Sequence, residues 1–240
     1  MKISLFAAIA ATLALAAAGT QAATLVDWNL DTVTGPTDNN TPFDGVASSV
    51  ATVAANISVT NLVTASSPGH AGLVWSSGNA GAGKLNLQRW DHPNDSPSSF
   101  GNGNGNPNNW LQFSIIAETG YWFDLTSMTI SAWRNGAGAA ADWSYEYSTD
   151  SGANWTAFGS VHNESNAGDS IFRDVTFTGS VTEVEELLIR FIAVGPDGGT
   201  GNIHINEMTV SGDVRLIPEP SGALLAFLGL LPFLRRRRSH

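Results

Sequence analysis

The chain has 240 residues, no cysteine, 11 lysines and arginines against 21 aspartates and glutamates, and a net charge of −10. Such an acidic surface offers no basic stripe to neutralise phosphates, which excludes nucleic acid as a partner. The absence of cysteine excludes a disulfide framework, a thiol nucleophile and a lipoprotein anchor, so stability must come from the core.

Residues 1–22 read as a secretory signal peptide. Lys2 supplies the positive start, Ile3 to Ala18 the apolar run, and Thr20-Gln21-Ala22 the small residues at a cleavage site after Ala22. Residues 23–216 then form one domain, and residues 217–240 form a separate tail. Setting aside Lys2, the four tail arginines and Glu219 leaves six cationic side chains against twenty acidic ones in the domain. That excess favours solubility and suits divalent cations.

Within the domain, Thr24 to Leu30 reads as the first strand, and Asp31 to Asp44, with Gly35, Pro36 and Pro42, as a loop. Val46 to Val53 and Asn56 to Thr64 read as the next two strands. Leu73 to Ser76 and Lys84 to Trp90 follow. Asp91 to Asn109 (DHPNDSPSSFGNGNGNPNN) is too rich in Gly, Asn and Pro for regular structure, and Trp90 and Trp110 flank it. A loop of that length in a domain points to function or disorder.

Trp110 to Ala117 gives the clearest alternation, with Leu111, Phe113 and Ile115 on one face. Leu125 to Trp133 comes next. Trp143 to Ser148 and Trp155 to Val161 form a hairpin around Asp150-Ser151-Gly152. Ile171 to Thr178, Leu187 to Val194 and Ile203 to Val210 complete the set. Glu183 to Leu188 is compatible with a helical turn, although Arg190 to Val194 pulls it toward strand. About eleven short strands with no amphipathic helix predict an all-β fold, an antiparallel two-sheet sandwich in a jelly-roll-like arrangement.

Candidate chemistry is sparse. Among the eight tryptophans, Trp90, Trp110 and Trp122 lie beside loops and are the candidates for glycan contact, since an indole offers a flat apolar face with a polar edge. Asp27, Asp31, Asn206 and Glu207 belong to the first and last strands, which neighbour in a jelly roll, and are the candidate calcium ligands. No other cofactor is indicated. The scattered His70, His92, His162 and His204 make no zinc spacing. A glycan hydrolase would need two carboxylates about 5–9 Å apart, and no motif singles out such a pair.

Ser148-Thr149-Asp150-Ser151-Gly152-Ala153-Asn154-Trp155 fits S-x-D-x-G-x-x-W and resembles the Asp-box hairpin of sialidase-like propellers. That resemblance implies a structural turn: Asp150 and Ser148 satisfy turn amides, Gly152 takes positive φ, and Trp155 packs beneath. The motif occurs once, whereas a propeller needs repeats. Arg134, Arg173 and Arg190 would be the carboxylate-binding triad of such a fold.

The tail joins Pro218-Glu219-Pro220 to an uncharged run from Ala223 to Leu234 and then to Arg235, Arg236, Arg237 and Arg238. The prolines keep the motif extended. As a helix the run would reach about 18 Å at about 1.5 Å per residue, short of the roughly 30 Å of a bilayer core. The arginines form a stop-transfer cluster that stays cytoplasmic. This transmembrane segment is therefore suited to a transient stop.

The tail resembles the PEP-CTERM sorting signal of Gram-negative bacteria. The resemblance implies export, retention in the inner membrane, and processing near the motif by an exosortase, a membrane cysteine protease. It further implies release to the outer surface or matrix and association with extracellular polysaccharide. The last strand, Ile205-Asn206-Glu207-Met208-Thr209-Val210-Ser211-Gly212, is similar to the closing strand of domains that carry this signal, with Asn206 where aspartate is usual. Carbohydrate-binding jelly rolls end in a similar way, sometimes beside calcium. The expectation is a non-enzymatic surface or matrix protein. The alternatives are a calcium-dependent carbohydrate-binding module and, third, a glycan-active hydrolase.

Overall fold

The computed structural model describes residues 22–33, 42–66, 73–75, 85–88, 90, 109–194 and 201–217. Most of the signal peptide, the Asp91–Asn108 stretch and the tail from Pro218 onward lie outside the described residues. No helix among the described residues is long and apolar enough to cross a membrane.

Among the described residues thirteen strands form two antiparallel sheets. In chain order they are β1 (Ala23–Asn29), β2 (Ala51–Val53), β3 (Ile57–Val59), β4 (Val63–Ser66), β5 (Val74–Trp75), β6 (Leu85–Gln88), β7 (Asn109–Ala117), β8 (Tyr121–Asn135), β9 (Asp142–Ser148), β10 (Thr156–Asn163), β11 (Arg173–Val184), β12 (Glu186–Val194) and β13 (Asn202–Leu216). Sheet 1 runs β11-β8-β13-β1-β2, with β6 also on β13 and β5 on β6. Sheet 2 runs β10-β9-β12-β7-β3, with β4 also on β7. The chain passes from sheet to sheet at β2–β3, β4–β5, β6–β7, β7–β8, β8–β9, β10–β11, β11–β12 and β12–β13. That order is the winding of a jelly roll.

The spine of sheet 1 is β13. It pairs with β8 along its whole length, and its other edge takes β6 first and β1 after, with Ala23 opposite Gly212. The Ile217 amide then donates to the Gly120 carbonyl at 2.9 Å.

Alternation builds the core from both inner faces. On β7, Leu111, Phe113 and Ile115 are buried while Trp110, Gln112 and Ser114 are half-buried on the outer face. The core joins the sheets through edge-to-face aromatic pairs, Trp28 on Phe113 at 5.9 Å and Tyr145 on Phe177 at 5.2 Å. The central strand of sheet 2, β12, is buried on both faces: Leu187, Ile189, Phe191 and Ala193 turn inward, yet Arg190 and Ile192 on the other face are also buried.

Several expectations need correction. Val46 to Val53 is not one strand. Val46 bridges Leu62, residues Ser48–Val50 form a 3-10 turn, and only the last three residues are extended. Glu183 to Leu188 follows the pull toward strand and makes no helical turn: Glu183, at a φ of 57°, donates its amide to Asp124 Oδ1 at 2.8 Å, and the chain there leaves β11 in sheet 1 for β12 in sheet 2.

The strands of Leu125 to Trp133 and Ile203 to Val210 are longer than their patterns suggest. Each carries a bulge that breaks the alternation. Leu125 pairs with Gly212 and Ser127 with Ser211, leaving Thr126 as the extra residue. Leu125 and Met128 therefore both face the core. Gly212 is required there, since a Cβ on it would lie 1.8 Å from the Asp124 carbonyl oxygen.

Candidate functional site

The outer face of sheet 2 carries a charged pair in an unusual setting. Arg190 of β12 faces Glu146 of β9 directly across the ladder. Its Nε and Nη2 both donate to Glu146 Oε2, at 2.8 and 2.5 Å. On a solvated sheet face such a pair is normally open to water, but Arg190 is only 4% exposed and Glu146 only 2%. The arginine meets two indoles: its Cζ lies 3.9 Å from the Trp155 ring centroid and 5.0 Å from that of Trp110. The two rings therefore lie no farther apart than the sum of those distances. Each cation–π contact is worth about 0.5–2 kcal/mol. Burial pushes the guanidinium below its ordinary value, and Glu146 opposes that shift.

The two indoles arrive from opposite ends of the sheet. Trp110 sits near the start of β7, beside Ile192 in the ladder, and donates Nε1–H to Gln112 Oε1 at 2.7 Å. Trp155 closes the β9–β10 turn. Both rings are half-buried.

The turn that carries Trp155 is built as the Asp-box resemblance implies. Ser148 Oγ donates to Asp150 Oδ1 at 2.7 Å and accepts the Gly152 amide at 2.8 Å. Asp150 Oδ1 accepts the Asn154 amide at 2.8 Å, and its Oδ2 accepts Asn154 Nδ2 at 2.6 Å. These bonds, led by the Asn154 side chain, hold the Asp150 carboxyl at about 2. Gly152 takes a φ of 89°, and a Cβ there would lie 3.6 Å from Trp155. Trp155 thus packs on the turn as expected, and it also covers Arg190.

The three tryptophans expected to touch glycan part company. Trp110 belongs to this face. Trp90 is core: it is 2% exposed, donates Nε1–H to the Leu87 carbonyl at 3.0 Å and packs edge-on against Phe191. Its ring is in the core although it follows the end of β6, so its place beside a loop does not expose it. Trp122 lies on sheet 1, half-buried opposite Arg215, away from the other two.

The candidate calcium ligands do not converge. Asp27 on β1 and Glu207 on β13 approach each other on the outer face of sheet 1. Burial, and then Glu207, push the Asp27 carboxyl above its ordinary value. Asp31 is exposed in a 3-10 turn whose amide is taken by Asn29 Oδ1 at 3.0 Å. Asn206 is the extra residue of the bulge between Ile205 and Glu207. Among the described residues no group of three or more His, Asp or Glu side chains is placed to hold a metal. The three arginines also separate: Arg134 bonds the Ala137 carbonyl at 3.0 Å, Arg173 pairs with Asp169, and Arg190 pairs with Glu146.

The sequence reading missed Arg190 and Glu146 as a pair, and with them the second indole. One signal was present: each is the one charge in the interior of its strand, in ELLIRFIAV and DWSYEYS, whose only other charge is the first residue. A charge buried there requires a partner.

No family model matches the chain, and no curated protein does. Among solved structures it is similar to the CBM22-1 xylan-binding domain from Paenibacillus barcinonensis Xyn10C, at 10% identity and a TM-score of 0.37, over 84% of this chain and 99% of that one. It is similar at the same identity and TM-score to the K2 cleaved adhesin domain of Lys-gingipain, over 62% and 88%. CBM35 from Cellvibrio japonicus Abf62 is similar at 17% identity and a TM-score of 0.29, over 64% and 87%. Likeness at this level carries no argument about what this chain binds.

Proposed function

We propose that the protein is an exported carbohydrate-binding β-sandwich that grips extracellular polysaccharide without cleaving it, using the outer face of sheet 2. The observation that carries this reading is the Trp110–Arg190–Trp155 stack. Two half-buried indoles are locked in place before any ligand arrives. An indole face suits the apolar face of a sugar ring, and its edge suits the hydroxyls. Preorganisation of the rings removes the ordering cost that binding would otherwise carry. Gln112 lies beside them as a polar group. Glu146 has Oε2 engaged by Arg190 and is shut from solvent, which suits adhesion better than acid–base chemistry.

The calcium requirement is dropped from this reading. Export and sorting complete it. Residues 1–22 direct secretion, and the PEP-CTERM-like tail holds the protein in the inner membrane until an exosortase acts at Pro218-Glu219-Pro220. The last ladder residue is Leu216, so the motif follows the fold directly.

Affinity electrophoresis through gels containing soluble polysaccharides tests the binding. Trp110→Ala and Trp155→Ala should each lose retention, while Trp122→Ala should keep it. Full retention by the double variant Trp110→Ala/Trp155→Ala would remove the reading. For sorting, replacing Pro218-Glu219-Pro220 with alanines should leave an unprocessed, membrane-held protein by mass spectrometry; normal maturation would overturn that part.

A further inference from the structure

We infer that this face selects uncharged glycans and rejects polyuronates and sulfated chains, an inference that rests on the indole pair being the glycan platform. A protein that holds an acidic polysaccharide needs a cation free to meet each carboxylate or sulfate. Among the described residues every arginine is already committed. Arg134 bonds the carbonyls of Glu164 and Ala137. Arg173 pairs with Asp169, and Arg215 with Asp124 at 2.7 Å.

Among the described residues Arg190 is the one cation within the platform, and it cannot be released. Its charge is used by Glu146 and its planar surface by the two rings. Swinging it toward a ligand would strand the Glu146 carboxylate in a dry environment.

The surroundings add to this. Strand alternation places Asp142 on the same face as Glu146 along β9, and Glu186 on the same face as Arg190 along β12. Among the described residues the fixed charge of the face is therefore negative, with one cation against three carboxylates. The domain's excess of acidic side chains extends the same repulsion outward, over a screening distance of about 8 Å at physiological salt. What remains for binding is flat aromatic surface with uncharged donors and acceptors such as Gln112 and Ser114. Those groups suit hydroxyl-rich, uncharged sugar rings.

The experiment runs the full-length protein through affinity gels in low and high salt. One set contains neutral polysaccharides (xylan, glucomannan, mixed-linkage glucan, hydroxyethylcellulose). The other contains polygalacturonate, alginate and a sulfated galactan. The expected result is a mobility shift in at least one neutral gel, of the same size in both salts, and no shift in any anionic gel. A shift in an anionic gel at low salt that disappears at high salt would overturn this inference while leaving the platform reading intact. No shift in any gel would remove the platform reading itself, and this inference with it.

Discussion

Replacing Glu146 with glutamine keeps the shape of the pair and removes one charge. Arg190 then stays 4% exposed without its counter-ion. Stranding one member of a buried pair costs about 3–5 kcal/mol. The two indole contacts, at about 0.5–2 kcal/mol each, stay with the guanidinium in the variant, so its charge is not left wholly without a partner. The expected loss is therefore about 3 kcal/mol, the lower end of that range. A domain of this length shifts by about 2–4 °C per kcal/mol, so Tm should fall by roughly 6–12 °C. Near-ultraviolet circular dichroism and calorimetry on the same samples would read it, and coincident transitions would license a two-state comparison.

The double variant Glu146→Leu/Arg190→Met is the control. It removes both charges, keeps volume, and leaves a polarisable side chain against the rings. Buried pairs replaced in this way are often neutral or stabilised, so its Tm should return close to the parent's. A glutamine variant within about 2 °C of the parent, less than 1 kcal/mol on the same scale, would show that the pair is not held dry. A double variant no better than the single would show that the penalty is packing, not charge.

Trp90→Ala should cost about 3–5 kcal/mol of stability, and any protein that still folds should bind polysaccharide as the parent does, by affinity electrophoresis. Loss of binding with unchanged Tm would return Trp90 to the site. Gly212→Ala should be among the most damaging small substitutions, about 3 kcal/mol or more by urea unfolding, because its Cβ meets the Asp124 carbonyl at 1.8 Å. A neutral result would mean that β8 and β13 separate freely at the bulge. Asp150 is held at about 2 against an ordinary 3.8. A depressed folded-state value means that its contribution is complete above about pH 4 and is lost as pH falls toward 2. Carbon-detected titration of the carboxyl should show this, and a normal value would deny that the turn bonds form in solution.

The sandwich was legible because its strongest strands obey a period of two. Leu111, Phe113 and Ile115 announce β7 and its buried face without help. β8 reads short because the bulge at Thr126 breaks that period near its start, and β13 because Gly212 interrupts the alternation and is small for a reason on another strand. Val46 to Val53 failed from the opposite cause: it has strand-like composition but spends its middle in a turn.

At the site, both rings stand beside a loop, yet Trp110 lies half-buried on the outer face of sheet 2 and Trp90 in the core. Flanking a loop does not fix which way a ring turns. Trp155 was recognised as part of a rigid turn, which it is, but the surface it covers was invisible. Arg190 and Glu146 stand 44 positions apart in the chain. Their meeting depends on β9 and β12 being neighbours, which spacing does not encode.

A pull on Ile217 is directed along β13, whose ladder with β8 continues from Leu216 back to Asn202. Ladder bonds lie across the strands, so a load in that direction meets them side-on and shares itself among them all, with β1 and β6 sharing from the other edge. A tether at Ile217 working against a gripped chain would thus shear the sandwich along its longest ladder instead of unzipping it bond by bond. Resistance would then be set by the rate of unfolding rather than by equilibrium stability. A strand with neighbours on both edges is a good place from which to hang a domain.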